Sequence, residues 1–168
     1  MKAAVLTVSD AAFRGERDDE GGPAVRKALR DLCGAEISTF AVLPDDPEEI
    51  QIQLRRWCSE KVDLIVTTGG TGVSPRDRTP EAVRAVIDIE VPGLAEWMRL
   101  ETGRSFPEAY LSRGVAGVCG RTLILALPGS PRGAVDCLAA VAGLIAHALS
   151  VVRGEVRHPV PAPPGRSA

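Results

Sequence analysis

A chain of 168 residues, 45% of them hydrophobic and 25% charged, has room for one domain with a sizeable core and is short for two. A net charge of −2 gives no pull towards nucleic acid or an anionic membrane, and an aromatic content of 4% leaves little for base stacking. Four widely spaced cysteines (Cys33, Cys58, Cys119, Cys137) make no Cys-x-x-Cys pair and read as buried thiols in a reducing, cytoplasmic setting, not as a metal site.

In chain order, "AAVLTV" (Ala3–Val8) reads as a first strand, since its apolar run meets Asp10 too early for a signal-peptide core. "GPAVRKALRDLCG" comes next as a helix with Val25, Ala28, Leu29 and Leu32 on one face and Gly34 as its stop. A second strand covers Glu36–Val42. The helix in "DDPEEIQIQLRRWCSE" opens with Asp46 as N-cap, Pro47 at the first helical position and Glu49 closing a capping box. After a third strand, Leu64–Thr67, the segment "RTPEAVRAVI" repeats the pattern with Thr79 as cap and Pro80. The fourth strand is Thr122–Leu127. All four strands read as buried on both faces.

The stretch Ala134–Val152 is the one candidate for a membrane span. Asp136, His147 and a capped start at Ser130-Pro131 favour a buried core helix instead. The chain thus divides into a domain over residues 1–154 and a proline-rich, loosely ordered tail over 155–168. Strands alternating with amphipathic helices predict an α/β fold, with a largely parallel sheet.

In such sheets ligands bind beyond the carboxyl ends of the strands. The four strands run out, in turn, into the loops "SDAAFRGERDDEGGP", "LPDD", "TTGGTGVSPRDRTPE" and "PGSPRG". These loops should converge at one rim. "TTGGTG" (Thr67–Gly72) lacks the lysine of a P-loop and the spacing of a dinucleotide fingerprint. It reads as a tight turn or as an amide cradle for phosphate. Asp45 and Asp77, taken singly, are caps or solvated charges; brought to one rim, they would hold Mg²⁺ against phosphates. Arg76 and Arg78 suit either a phosphate or a neighbouring aspartate. Ser9-Asp10 is a strand-end turn or part of the same rim. With no histidine or cysteine in these loops, nucleophilic catalysis is poorly served, whereas phosphate positioning is well served.

"VSD", "LPDD", "TTGGTG", "RDRTPEA", "PGLAEWMR", "LSRGVAGVCG" and "LPGSP", in this order, resemble the molybdopterin-binding proteins of molybdenum cofactor biosynthesis. The likeness runs from about Lys2 to Gly154 and is most specific at "TTGGTG" with "RDRTPEA". It is nearest the molybdopterin adenylyltransferase branch and its bacterial paralogues. The resemblance implies a three-layer α/β/α sandwich, a homotrimer or hexamer, and adenylylation of molybdopterin by Mg-ATP with release of pyrophosphate. It places two acidic active-site and metal-binding residues on Asp45 and Asp77, and the ligand loop on Thr68, Gly69, Gly70, Thr71 and Gly72. Ser112, Pro128, Gly129 and Ser130 carry over as substrate-binding positions, beside Ser9, Asp10 and Arg76. A separate molybdenum-insertion partner would act next. The alternatives are a carrier that binds molybdopterin without nucleotidyl transfer and, more remotely, a nucleotide-binding regulatory domain. Gly21-Gly22-Pro23 stands where many relatives have Ser-Gly-Pro, so a serine hydroxyl is missing from the first loop.

Overall fold

A computed structural model describes residues 1–155; the tail expected over 155–168 lies, beyond Glu155, outside the described residues. Strands β1 (Lys2–Val8), β2 (Glu36–Leu43), β3 (Leu64–Thr68), β4 (Ile89–Glu90), β5 (Ala116–Cys119) and β6 (Thr122–Leu127) form one sheet. Their spatial order is β2-β1-β3-β6-β5-β4. The first four in that order are mutually parallel, while β5 and β4 add an antiparallel edge. The helices are α1 (Asp10–Phe13), α2 (Gly21–Cys33), α3 (Pro47–Ser59), α4 (Thr79–Arg84), α5 (Pro92–Gly103) and α6 (Pro131–Val152). A 3-10 turn, Pro107–Leu111, comes after α5.

The side-chain alternation of β1 explains the layers. Ala3 and Val5 face a core shared with Val25 and Leu29 of α2, Met98 of α5 and Leu138 and Val141 of α6. Ala4, Leu6 and Val8 face the other way, onto Ile50, Leu54 and Trp57 of α3 and Val83 of α4. A sheet covered on both faces needs near-continuous apolar strands, which β3 and β6 supply with every residue buried. Each large side chain buried this way contributes roughly 1.5–3 kcal/mol. The result is a three-layer α/β/α sandwich with a mostly parallel sheet.

Helix ends obey the local chemistry. Gly34 closes α2 in the left-handed region, with φ 59°. Asp46 accepts from the amides of Glu48 and Glu49 at 2.8 and 3.2 Å, and Pro47 begins α3. Ser130 caps α6 through the amide of Gly133, with Pro131 at the first position.

Several expectations need correction. β2 is an edge strand whose exposure alternates, so it is not buried on both faces, and Phe40 is 61% exposed beneath the Arg26 guanidinium. Leu32 stands at 47% exposure because α2 turns it away from the sheet. Thr79 is the first residue of α4 and does not cap it; its buried hydroxyl has no hydrogen-bond partner. All four cysteines are free, but only Cys137 is fully buried. The helix α6 is long and apolar enough to span a membrane, yet Ala134, Leu138, Val141 and Ile145 pack one of its faces into the core. Its opposite face leaves Leu144 and Val151 open.

At the amino-terminal end of the sheet, Asp63 accepts from the Lys2 amide at 2.7 Å and the Arg153 guanidinium at 2.5 Å. Burial pushes its carboxyl up, but these two donors outweigh burial and hold it below the ordinary range. A depressed folded-state pKa contributes stability that is present above the ordinary carboxylate value and is lost as pH falls through the lower one. Asp63→Asn should therefore cost about 1–2 kcal/mol at neutral pH. Denaturant unfolding at a series of pH values should show the gap to wild type closing below about pH 4.

Candidate functional site

Parallel strands β1, β2, β3 and β6 deliver their loops to one end of the sheet. Two clefts lie there. The larger, about 720 Å³, runs from Gly70, Gly72 and Ser112 to Met98 and Phe106. The smaller, about 390 Å³, holds Ser9, Asp18, Asp19, Asp45 and Gly69. Gly70, Asp77, Gly129 and Ser130 line both. They form the shared wall.

The glycine loop is shaped by close approach. Gly69 has φ 108°, and a Cβ there would sit far inside contact distance of the Val8 carbonyl oxygen. Gly70 has φ 61°, and its Cβ would collide with Thr79 Oγ1 and lie 2.7 Å from Asp45 Oδ1. Neither position admits a side chain. Gly72 lies outside the left-handed region; a Cβ there would press on Asp77 Oδ2 at 2.9 Å. Thr68 Oγ1 donates to the Pro128 carbonyl at 2.8 Å, and Gly69 N to the Leu127 carbonyl at 3.1 Å, locking this loop to the one after β6. Gly129 packs on it as well: its own Cβ would lie 3.2 Å from Gly69 Cα.

Ser9 caps α1, accepting from Ala12 N at 3.2 Å. Asp10 and Asp45 are tied reciprocally. Asp45 N donates to Asp10 Oδ1 at 3.0 Å, and Asp10 N donates to Asp45 Oδ2 at 3.3 Å. Arg76 closes on the other oxygen of Asp10 through Nε at 3.1 Å and Nη2 at 2.5 Å. Its partner is therefore Asp10 and not the adjacent Asp77. The Arg76 guanidinium, with the Asp45 amide, holds the Asp10 carboxyl below the usual range. Asp45 moves the other way: burial raises its pKa, and the nearby carboxylates of Asp10 and Asp77 add to the rise. Asp77 fastens its own loop by accepting from Ser74 N at 2.8 Å.

In the larger cleft, Ser112 Oγ accepts from Gly114 N at 3.3 Å. Arg99 Nη1 donates to the carbonyls of Ser112 and Gly114 at 3.4 and 3.0 Å. Arg132 lies over the Phe106 ring, 4.3 Å from its centroid. Asp77, Glu108 and Asp136 line the same cleft, and Arg132 lies 3.7 Å from Asp136, so the walls are mixed in charge while the apolar floor suits a flat ring system. The sequence reading missed Arg99, Arg132 and Phe106, although Arg132 directly follows the "PGSP" turn. It also missed Asp19, which accepts from Gly22 N at 2.8 Å and from Thr7 Oγ1 at 3.0 Å. Asp19 thus satisfies an amide at the start of α2, where Gly21 packs within 3.3 Å (measured from an added Cβ) of Thr68 Oγ1.

Substitutions separate these constraints. Gly70→Ala should destabilise by about 1–3 kcal/mol, from left-handed strain and a clash with a buried hydroxyl. Gly143, inside α6 with open space around it, should accept Ala with a gain of about 0.5–1 kcal/mol. Equal responses in urea unfolding would remove the close-packing account of the loop.

Comparison with known proteins identifies the family and the fold. Residues 4–147 match the family model described as "Probable molybdopterin binding domain". The Helicobacter pylori (strain J99) protein named molybdopterin adenylyltransferase is 37% identical over 152 residues, covering 89% of this chain and 86% of its own. The Drosophila melanogaster molybdenum cofactor synthesis protein cinnamon is also 37% identical, but the chain spans only 26% of its length. The crystal structure of the molybdopterin biosynthesis enzyme MoaB from Thermus thermophilus superposes with a TM-score of 0.86 at 55% identity, covering 91% of this chain and 96% of that one. With a family match over most of its length and the same fold beneath it, this chain belongs to the molybdopterin-binding domain family.

Proposed function

We propose that the protein is a molybdopterin adenylyltransferase acting in molybdenum cofactor biosynthesis. One observation carries the reading: the two clefts share a wall at Gly70, Asp77, Gly129 and Ser130, with Asp45 beside it. The larger cleft, with Met98, Phe106 and Arg99, suits the pterin, and the smaller one the nucleotide. Relatives bearing the adenylyltransferase name support this assignment.

The residues present fit Mg²⁺. Among the described residues no group of three or more His, Cys, Asp or Glu could hold a metal alone. Mg²⁺ ordinarily takes one or two carboxylates and draws its remaining oxygens from phosphate and water. Asp45 and Asp77 would hold it. Burial raises the pKa of Asp45 first, and the neighbouring carboxylates of Asp10 and Asp77 add to the rise. When bound, the ion neutralises charge on the triphosphate and on the departing pyrophosphate.

The chain's own groups then do the positioning. The terminal phosphate of molybdopterin, oriented in the larger cleft, attacks the α-phosphorus of ATP from across the shared wall. The new P–O bond joins the two phosphates, and the bond from the α-phosphorus to the bridging oxygen breaks. Pyrophosphate leaves with that electron pair. Gly70 and Gly129 let the loops after β3 and β6 close on each other and on Asp45, and Asp45 and Asp77 fix the charge at the meeting point. Little covalent work falls to the protein.

We also place the protein in the cytoplasm as a homo-oligomer, a trimer or a hexamer, that hands its product to a molybdenum-insertion partner. A relative from Synechococcus elongatus named molybdenum cofactor biosynthesis bifunctional protein, of whose length the chain spans 47%, supports a partner activity. Exposed Trp97, Leu100, Tyr110 and Leu111 along α5 and the 3-10 turn support self-association. Sedimentation should give a mass of three or six chains; a monomer at micromolar concentration would rule the oligomer out.

The carboxylates give the sharpest test. Asp45→Asn or Asp77→Asn keeps the side-chain size and removes the metal-binding charge. Mg-ATP-dependent pyrophosphate release should fall by about 10²-fold or more. Molybdopterin affinity without ATP should hold within about threefold, a change of well under 1 kcal/mol. Wild-type protein that binds molybdopterin but releases no pyrophosphate would replace the enzyme with a carrier.

A further inference from the structure

One side chain outside both clefts ties their shared parts together. Arg113 comes directly after Ser112 in the segment before β5, and its side chain is 36% exposed. Its backbone N–H donates to the Thr71 carbonyl at 2.8 Å. Its Nε donates to the Gly72 carbonyl at 2.7 Å, and its Nη2 to the Asp77 carbonyl at 2.5 Å. The remaining nitrogen, Nη1, pairs with the Glu81 carboxylate in the first turn of α4. Four bonds from one residue thus join the glycine loop, the aspartate loop and the helix beyond it.

We infer that Arg113 is the positioning residue that sets the spacing between the glycine loop and the Asp77 carboxylate. The assignment rests on the function proposed above and names a residue that touches neither ligand, since neither cleft is lined by it.

The two loops need such a tie. The Ser74–Asp77 turn is internally fastened, with Ser74 N donating to Asp77 Oδ2 at 2.8 Å and Asp77 N donating to the Ser74 carbonyl at 3.0 Å. The turn therefore moves as a unit. Gly72 has no side chain with which to hold it, and a Cβ added there would press on Asp77 Oδ2. Thr79 N donates to the Gly70 carbonyl at 3.1 Å, which fixes one side of the unit. Arg113 fixes the other. A planar guanidinium can bridge two carbonyls and a carboxylate at once; an ammonium is a point charge and cannot reproduce the fork. Glu81 completes the arrangement. Its Oε2 is buried with no partner of its own, so Arg113 supplies the compensation that keeps this carboxylate charged. Burial raises the Glu81 pKa, but the Arg113 guanidinium outweighs it and holds the carboxyl below its ordinary value.

Arg113→Lys keeps the charge near Glu81 and loses the fork, so it should fold and mis-space Asp77. The readouts are Mn²⁺ binding in the presence of ATP, monitored by the electron paramagnetic resonance of the free ion, the Mg²⁺ dependence of pyrophosphate release, and molybdopterin affinity. Mn²⁺ affinity and half-saturation by Mg²⁺ should each weaken about tenfold, and kcat should drop about tenfold, as a small displacement of a charged group predicts. Molybdopterin affinity should stay within about twofold, below 0.5 kcal/mol. Asp63→Asn, a destabilising change at the opposite end of the sheet, is the control and should leave metal affinity unchanged. A folded Arg113→Lys protein with wild-type metal affinity and kcat would overturn the assignment. So would a metal affinity that falls equally in Asp63→Asn. Should Arg113→Lys fail to fold, Arg113→Met combined with Glu81→Leu removes the stranded charge and is read in the same way. Wild-type protein that binds Mn²⁺ with ATP yet releases no pyrophosphate would refute the proposed reaction alone, and the Mn²⁺ comparison would still decide the role of Arg113. Wild-type protein that does not bind Mn²⁺ would contradict both.

Discussion

The arrangement depends on the backbone of Gly69 and Gly70 lying where no side chain fits. The Val8 carbonyl closes on Gly69 from β1, while Asp45 and Thr79 close on Gly70 from the loop after β2 and from α4. That single crowded turn brings together segments that end three different elements. Because β1, β2 and β3 are parallel, with Val8 opposite Leu43 after a register shift at Ala3-Ala4 and Thr7 opposite Thr68, their carboxyl ends are level, and the turn can be touched from both sides. The loop after β6 reaches the same place through Thr68 and Gly129. A substitution in this turn therefore acts on both clefts together.

Charge is the second organising element. Asp10, Asp45 and Asp77 gather at the rim, with Asp18 and Asp19 further along the smaller cleft. Arg76 is committed to Asp10 and compensates for that residue first. The larger cleft is mixed in charge: Arg99 and Arg132 stand on its walls with Asp77, Glu108 and Asp136, and Arg132 lies 3.7 Å from Asp136. Its distinguishing feature is the apolar surface of Met98, Phe106, Ala109 and Leu111, which the smaller, acidic cleft lacks. Burial raises the proton affinity of Asp45, and the nearby carboxylates of Asp10 and Asp77 add to the rise.

The sequence made some of this legible and hid the rest for physical reasons. Three of the four parallel strands, β1, β3 and β6, carry runs of buried residues, and the helix caps Asp46, Ser130 and Gly34 obey local rules that hold in the folded chain. β4 and β5 escape a sequence reading because Ile89–Glu90 and Ala116–Cys119 are too short for a periodic signal and contain an exposed glutamate and a glycine. Thr79-Pro80 has the form of a cap, but the Thr79 hydroxyl is drawn inward against Gly70 by packing, which no local rule reports. Strand direction brings the loops of Ser9, Asp45, Gly70, Asp77 and Ser130 to one end of the sheet, and this much was legible in the sequence. The bonds of Arg113 and the stacking of Arg132 on Phe106 join residues distant in the chain and required the coordinates.

In the proposed function, two ligands meet across the wall formed by Gly70, Asp77, Gly129 and Ser130. The decisive measurement is a crystal structure of the protein with molybdopterin, Mg²⁺ and an ATP analogue blocked at the α–β bridge. The pterin should lie beside Met98 and Phe106, the nucleotide in the smaller cleft, and Mg²⁺ within reach of the Asp45 and Asp77 carboxylates. Both ligands competing for one cleft, or a nucleotide seated away from Asp45 and Asp77, would contradict it.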